Sequence, residues 1–244
     1  MLKSAPKDLA ILLDLPITPY EEAWRLQQTL VSAKKTNSLT EDILIICEHQ
    51  PVFTVGNKGG EQHIRVPFTL FRRKGIPVFQ TERGGSITFH GPGQLVGYPI
   101  LDLNRKGLGP VDLVWALEEI MIKACSDLGV SVARLPGMRG VWVDDMKVGS
   151  VGIAISKGIS YHGFSLNVML DLEPFSWIDP CGLPGVTVTN LATLAGAEIP
   201  MTEIKKLTVK YAKAVLGMEV KALSLDYLHD VLKADIQQRI EPLS

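Results

Sequence analysis

The stretch Val141-Trp142-Val143-Asp144-Asp145-Met146-Lys147-Val148-Gly149-Ser150-Val151-Gly152-Ile153-Ala154-Ile155-Ser156-Lys157-Gly158 decides the fold. Residues 141–143 and 147–155 are β-rich runs on either side of Asp144-Asp145, a turn signal, so a hairpin is expected. After Lys157-Gly158 a further strand reads over residues 159–168. Strands that follow one another through short turns are incompatible with a strictly alternating, doubly wound sheet, which needs a helical crossover between strands.

Upstream, an apolar strand at 9–15 leads into Thr18-Pro19-Tyr20-Glu21, which reads as a capping box for a helix carrying Tyr20, Ala23, Trp24, Leu30 and Val31 on one face. Short β-rich runs follow at 43–47 and 52–55, then a helix at 68–74 stopped by Gly75, and strands at 76–80, 86–90 and 95–103. A second long helix is expected over 110–128, with Val111, Val114, Trp115, Met121 and Cys125 facing one way. Helical patterns return at 189–194 and 202–216, and Ser224 is placed to cap a terminal helix. Hairpins mixed with helices give an α/β (α+β) class, a mixed β-sheet flanked by helices. No composition break marks a boundary, so residues 1–244 are expected to form a single domain, with about 200–244 as a possible C-terminal helical appendage.

Composition excludes several classes of function. With 46% hydrophobic and 21% charged residues, the chain is neither disordered nor a disulfide framework. Lys plus Arg is 25 against 26 for Asp plus Glu, a net charge of −1, so no general field holds nucleic acid or an anionic membrane. Apolar runs such as Ile43-Leu44-Ile45-Ile46-Cys47 fall far short of the ~20 residues that cross a bilayer. The first eight residues lack an apolar stretch of signal-peptide length. A cytoplasmic location is therefore expected.

Cys47 and Cys125 lie in apolar periodic runs and read as small buried hydrophobes, whereas Cys181 sits in the turn-rich Asp179-Pro180-Cys181-Gly182. His49, His63, His90 and His162 have no metal-like spacing with carboxylates or thiols, so no metal is expected. The densest segment is Arg83-Gly84-Gly85-Ser86-Ile87-Thr88-Phe89-His90-Gly91-Pro92-Gly93-Gln94-Leu95-Val96-Gly97-Tyr98. Its glycines let the backbone approach a bound group, and its polar side chains exceed what a structural hairpin requires. It has neither the Gly-Lys-Ser/Thr of a phosphate-binding loop nor a G-x-G-x-x-G. Lys147 reads either as a solvated edge-strand charge or as a lysine held over a cavity floored by the Gly149–Gly152 backbone. His162 reads as a satisfied core histidine or as a ligand contact.

Residues 83–98 resemble, at every defined position, the R-G-G-x-x-T-x-H-x-P-G-Q-x-x-x-Y signature of the lipoyl (octanoyl) transferases. The likeness runs through Glu48-His49-Gln50-Pro51-Val52-Phe53-Thr54-Val55-Gly56, the Lys147 segment, Tyr161-His162-Gly163 and Asp179-Pro180-Cys181-Gly182, covering roughly residues 12–194. Gly149-Ser150 and Asn57-Lys58 depart from the pairs frequent in that family. The resemblance implies the fold of the lipoate and biotin protein ligase catalytic domains. It also implies transfer of an octanoyl group from octanoyl-acyl-carrier protein to the lipoyl-domain lysine of lipoate-dependent enzymes. Carried over by position, the nucleophile is Cys181 and the lysine that lowers its pKa is Lys147. Acyl-substrate contacts fall on Arg83, Gly84, Gly85, Ser86, Ile87, Thr88, Phe89 and His90, on Ser150, Val151 and Gly152, and on Gly163, Phe164 and Ser165.

The chemistry expected is a two-step transfer without cofactor. Lys147 favours the Cys181 thiolate, which forms a thioester acyl-enzyme, and then takes the proton that the acceptor amine loses. The backbone N–H of Gly182, or of a glycine in the 83–93 loop, is expected to receive the oxyanion. The implied partners are the acyl-carrier protein as donor, and apo lipoyl domains of the 2-oxoacid dehydrogenase E2 subunits and the glycine cleavage H protein as acceptors. A monomer is expected, meeting them through basic contacts at Lys58, Arg65, Arg72, Arg73 and Arg139. Two rivals are an ATP-dependent ligase of the same fold, which has no use for Cys181, and a non-catalytic binder, which needs neither Cys181 nor Lys147.

Overall fold

Antiparallel hairpins form the middle of the observed sheet. The computed structural model describes residues 8–226. In chain order the elements are β1 (Asp8–Thr18), α1 (Tyr20–Lys35), β2 (Asp42–His49), β3 (Val52–Val55), α2 (Phe68–Lys74), β4 (Val78–Gln80), β5 (Ile87–His90), β6 (Gln94–Ile100), α3 (Leu103–Lys106), α4 (Pro110–Asp127), β7 (Ala133–Leu135), β8 (Met138–Val143), β9 (Met146–Ser156), β10 (Ile159–Asn167), β11 (Thr187–Val188), α5 (Leu191–Ala195), α6 (Met201–Val215) and β12 (Met218–Ala222). Among the described residues, the main sheet runs β12-β1-β2-β6-β10-β9-β8-β7, with β11 paired to β9. Its β12-β1-β2 edge is parallel, and the run from β2 to β7 is antiparallel. A second sheet, β4-β3-β5, stands beside it.

Both faces of the main sheet are buried, as the alternation along β2 shows. Leu44 and Ile46 enter one core with α4 and α6, while Ile43, Ile45 and Cys47 enter the other with α1. Each such Leu or Ile contributes about 1.5–3 kcal/mol by leaving water. The second sheet packs Phe53, Ile87 and Phe89 against Phe71 of α2 and Trp177. Strand β5 thus divides its side chains: Ile87 and Phe89 enter this third core, and Thr88 and His90 point the other way, into a cavity.

The Asp144-Asp145 turn forms as expected, with Asp144 at φ 50°. Gly75 ends α2 in the left-handed conformation at φ 66°. Three expectations are corrected. Thr18 ends β1, and its hydroxyl donates to the Pro16 carbonyl at 2.9 Å, so no capping box forms and Pro19 precedes α1 without a side-chain cap. In α4, Val111 and Trp115 are exposed, and the buried stripe is Leu113, Leu117, Ile120 and Ala124, alongside Met121 and Cys125. Trp115 instead carries the Arg134 guanidinium 4.4 Å above its ring. The run expected at 95–103 stops at Ile100, because Asp102 caps α3 by accepting from the Arg105 N–H. Residues 201–222 join the main body through α6 on α4 and β12 on β1. The terminal helix expected after Ser224 and the segment before Asp8 lie outside the described residues.

Candidate active site

Lys147 is the second residue of β9, where β8 and β10 flank it, so it is no edge-strand charge. It is buried at 4% exposure, with its Nζ 4.9 Å from the centre of the Trp142 ring. The same Nζ donates to Cys181 Sγ at 3.1 Å, and Ser150 Oγ stands 4.0 Å from that sulfur. Cys181 lies in a short turn, Pro180–Gly182, at φ 59° and ψ 16°. A non-glycine residue in that left-handed region is uncommon, and it is followed by Gly182 at φ 73°. Several ties hold the turn in place. β11 pairs with Met146 and Lys147, the Asp179 N–H donates to the His63 carbonyl at 2.7 Å, Ile64 bridges Ile178, and Arg65 forms an ion pair with Asp179.

Burial alone pushes the Cys181 thiol up. The Lys147 ammonium, by charge and hydrogen bond, then Arg83 and Ser150, outweigh that and hold it below the usual thiol range. Cys47 and Cys125 show the contrast, since burial pushes both up to about 12. A thiol held toward thiolate beside a cationic proton carrier is a nucleophile suited to acyl carbon.

The pair faces a cavity of 340 Å³. Its glycines have a steric purpose. Gly152 pairs with Gly163 across β9 and β10, and a Cβ at Gly152 would lie 2.8 Å from the Gly84 carbonyl oxygen. The Gly84 N–H donates to the Ile153 carbonyl at 2.9 Å, stitching the 83–85 loop onto the sheet. Arg83 is buried and bonds to the Thr54 and Ser86 carbonyls.

From Arg83 a hydrogen-bond chain runs in one direction. Arg83 Nε donates to Thr54 Oγ1 at 3.0 Å, and the Thr54 hydroxyl donates to His90 Nε2 at 3.3 Å. His90 Nδ1 donates to Gln94 Oε1 at 2.7 Å, Gln94 Nε2 to Asn167 Oδ1 at 2.9 Å, and Asn167 Nδ2 to the Thr189 carbonyl at 3.0 Å. The Thr189 N–H closes the line on the Lys147 carbonyl at 2.9 Å. Because the Gln94 amide nitrogen is engaged with carbonyl oxygens, its oxygen accepts, and this fixes the His90 tautomer. Burial pulls His90 down to about 3, so the ring is neutral as the chain requires. His49 is neutral for the same reason, at about 4, with Nδ1 donating to the Thr18 carbonyl and Nε2 accepting from the Tyr98 hydroxyl at 2.7 Å.

Of the residues expected here, Arg83, Gly84, Gly85, Thr88 and His90, Ser150, Val151 and Gly152, and Gly163, Phe164 and Ser165 line the cavity together with Lys147 and Cys181. Ile87 and Phe89 turn into the third core. Ser86 is buried behind the loop, where its carbonyl accepts from Arg83. His162 also lines the cavity, at φ 54°, and its backbone N–H donates to Gln27 Oε1 at 2.7 Å. The Gly182 and Gly84 N–H groups are occupied within the fold, by Asp179 and Ile153, whereas that of Gly85 has no acceptor among the described residues. Tyr20, Val114 and Met138 at the cavity wall, and Thr54 behind Arg83, escaped the sequence reading. Gln27 carried a signal, since it lies on the buried face of α1 between Ala23 and Leu30. No group of three or more His, Cys, Asp or Glu side chains able to hold a metal occurs among the described residues, and no helix there is long and apolar enough to cross a membrane.

Comparisons with known proteins agree with this geometry. Residues 19–213 match the lipoyl protein ligase A/B catalytic domain family. The octanoyltransferase of Desulfotalea psychrophila is 44% identical over 225 residues, covering 91% of this chain and 100% of that protein. The octanoyltransferase of Caldicellulosiruptor saccharolyticus is 38% identical over 91% of this chain and 95% of its own length. Among solved structures, a lipoate protein ligase from T. acidophilum with bound lipoic acid superposes with a TM-score of 0.69 at 14% identity, covering 94% of this chain and 95% of that one. That likeness is one of fold.

Proposed function

The chain belongs to the lipoyl protein ligase A/B catalytic domain family, and we propose that it is an octanoyltransferase of lipoyl cofactor assembly that works through an acyl-enzyme on Cys181. The observation that carries the mechanism is the 3.1 Å contact between Lys147 Nζ and Cys181 Sγ at the wall of the cavity. In the first half-reaction the Cys181 thiolate attacks the octanoyl thioester of an acyl-carrier protein. The new C–S bond forms, the carrier's C–S bond breaks, and the departing sulfur takes a proton from the Lys147 ammonium. In the second half-reaction the neutral amine of a lipoyl-domain lysine attacks the acyl-enzyme. Lys147, left neutral by the first step, accepts the proton that the nitrogen loses, and the Cys181 thiolate departs. The pair thus returns to its starting charge after each ping-pong cycle.

The remaining wall suits the acyl chain. Val96, Val114, Val151, Ile153 and Phe164 give it apolar contacts, and burying the chain's seven tail carbons contributes about 5 kcal/mol. The N–H of Gly85 is the unused donor on the cavity wall and is assigned to the developing oxyanion. Acceptors in this reading are the apo lipoyl domains of 2-oxoacid dehydrogenase E2 subunits and the glycine cleavage H protein. The enzyme acts as a monomer of one catalytic domain in the cytoplasm.

Incubation with octanoyl-acyl-carrier protein and an apo lipoyl domain, without ATP, tests the assignment. One octanoyl group should appear on the domain's lysine. A strict requirement for ATP would assign the chain to ligase chemistry instead.

A further inference from the structure

The cavity wall carries Lys58, Arg83, Arg139 and Lys147 and no carboxylate, in a protein whose net charge is −1. Two of these cations are committed. Arg83 is buried and spends its donors on Thr54, Gly84 and Ser86, and Lys147 is buried against Cys181. The other two have no such employment. Lys58 and Arg139 are exposed, and neither side chain has a hydrogen bond or ion pair among the described residues. They come from separate loops. Lys58 follows Gly56 and Asn57, with its backbone N–H fixed to the Gly85 carbonyl at 3.1 Å. Arg139 precedes Gly140, whose Cα faces the Lys147 stem so closely that a Cβ there would lie 3.2 Å from Lys147 Cε. Both loops are thereby tied to the parts of the wall nearest the chemistry.

An octanoyl chain is neutral and needs neither cation, and the thioester chemistry is served by Lys147. Two unpaired cations at the rim of one cavity fit a ligand that brings a negative charge to the mouth while its far end reaches Cys181. We infer that Lys58 and Arg139 form a phosphate clamp that holds the phosphopantetheine arm of the donor by its phosphate, with the acyl thioester at the other end of the arm directed to Cys181. This rests on the carrier-protein reading above and names the part of the donor that is recognised. Arg139 supplies a planar fork and Lys58 a point charge, both suited to phosphate oxygens. The remaining source of the same chemistry is the phosphate of a nucleotide. A nucleotide would be needed only to activate a free acid, and a thioester is already activated.

The test reads protection of Cys181 from alkylation by iodoacetamide. The probes are pantetheine, phosphopantetheine and ATP, applied to the full chain and to Lys58→Ala, Arg139→Ala and the double variant. Phosphopantetheine should half-protect at a concentration at least about tenfold below pantetheine in the unsubstituted protein, since two charge-assisted contacts are gained. That ratio should fall in each single variant, approach one in the double variant, and shrink in high salt. Equal protection by pantetheine and phosphopantetheine, or a ratio that survives the double substitution, would overturn the clamp. So would stronger protection by ATP than by phosphopantetheine. Thermal melting of each variant checks that folding is intact. If octanoyl-phosphopantetheine left no octanoyl group on Cys181 although phosphopantetheine protected it, the clamp would stand and the acyl-enzyme reading would fall.

Discussion

Lys147 Nζ stands 3.1 Å from Cys181 Sγ, although the two residues are 34 positions apart in the chain. The pairing of β11 with β9 brings the Cys181 turn back to the lysine's own strand. Lys147 is fixed further by the Trp142 ring, a contact outside its immediate sequence neighbours Val148, Gly149 and Ser150. In Lys147→Ala the Cys181 thiol loses its principal stabilising charge, so its titration moves up. Alkylation near neutral pH should slow by about tenfold or more, with the rate recovering as pH rises past about 8.5. Lys147→Arg keeps a charge but cannot give up its proton. It should retain part of the alkylation rate and lose transfer to the acceptor lysine. Full turnover in Lys147→Arg would reduce Lys147 to electrostatic support.

Thr54 is the relay point between Arg83 and His90, and its hydroxyl accepts from one and donates to the other. Thr54→Val keeps the shape and leaves buried polar atoms of both neighbours without that partner. Unfolding free energy should fall by about 1–3 kcal/mol. Acylation of Cys181 should fall with it, because Arg83 shapes the 83–85 loop. Denaturant melts and a single-turnover acylation rate, measured together, separate the two effects. An unchanged rate in a folded variant would remove the relay from the account of the site.

The pH dependence of stability follows from three buried neutral imidazoles. Burial is the main cause holding His49 at about 4, His90 at about 3 and His162 at about 4, against about 6.5 in an unfolded chain. Above about pH 6.5 neither state binds these protons and the histidines leave stability unchanged. Below that, the unfolded chain takes protons that the folded protein refuses, so stability declines as pH falls toward 4. The midpoint of thermal unfolding should be level from pH 8 to 7 and drop between pH 6.5 and 5, above the range where ordinary carboxylates titrate. His49→Gln should flatten that drop in part. A midpoint constant down to pH 5 would contradict the assignment of neutral, buried rings.

Much of this was legible in local sequence because it is decided locally. The Asp144-Asp145 hairpin, the helix stopped by Gly75 and the apolar run into Cys47 each follow from a turn or a period within a few residues. What escaped is decided at a distance. β12 is a strand only because β1, some two hundred positions away, offers it an edge. The face of α4 was misread because Val111 and Trp115 are as apolar as the residues that are buried, and only Arg134 from β7 explains an exposed Trp115. At the site, the signature located the 83–90 loop but not its alternation, in which Thr88 and His90 face the cavity and Ile87 and Phe89 face away. Strand β5 imposes that division, and a motif by itself does not distinguish a residue that touches the substrate from one that anchors the loop.

The acyl-enzyme is the central claim, and the most direct test is the mass of the protein after incubation with octanoyl-acyl-carrier protein alone. With no acceptor present, the chain should gain one octanoyl group, and peptide mapping should place it on Cys181. Cys47 and Cys125, buried and with their thiols pushed up to about 12, should carry none, and Cys181→Ser should show no thioester. An octanoyl group mapped to Cys47 or Cys125, or transfer to an acceptor that proceeds undiminished in Cys181→Ser, would contradict the account.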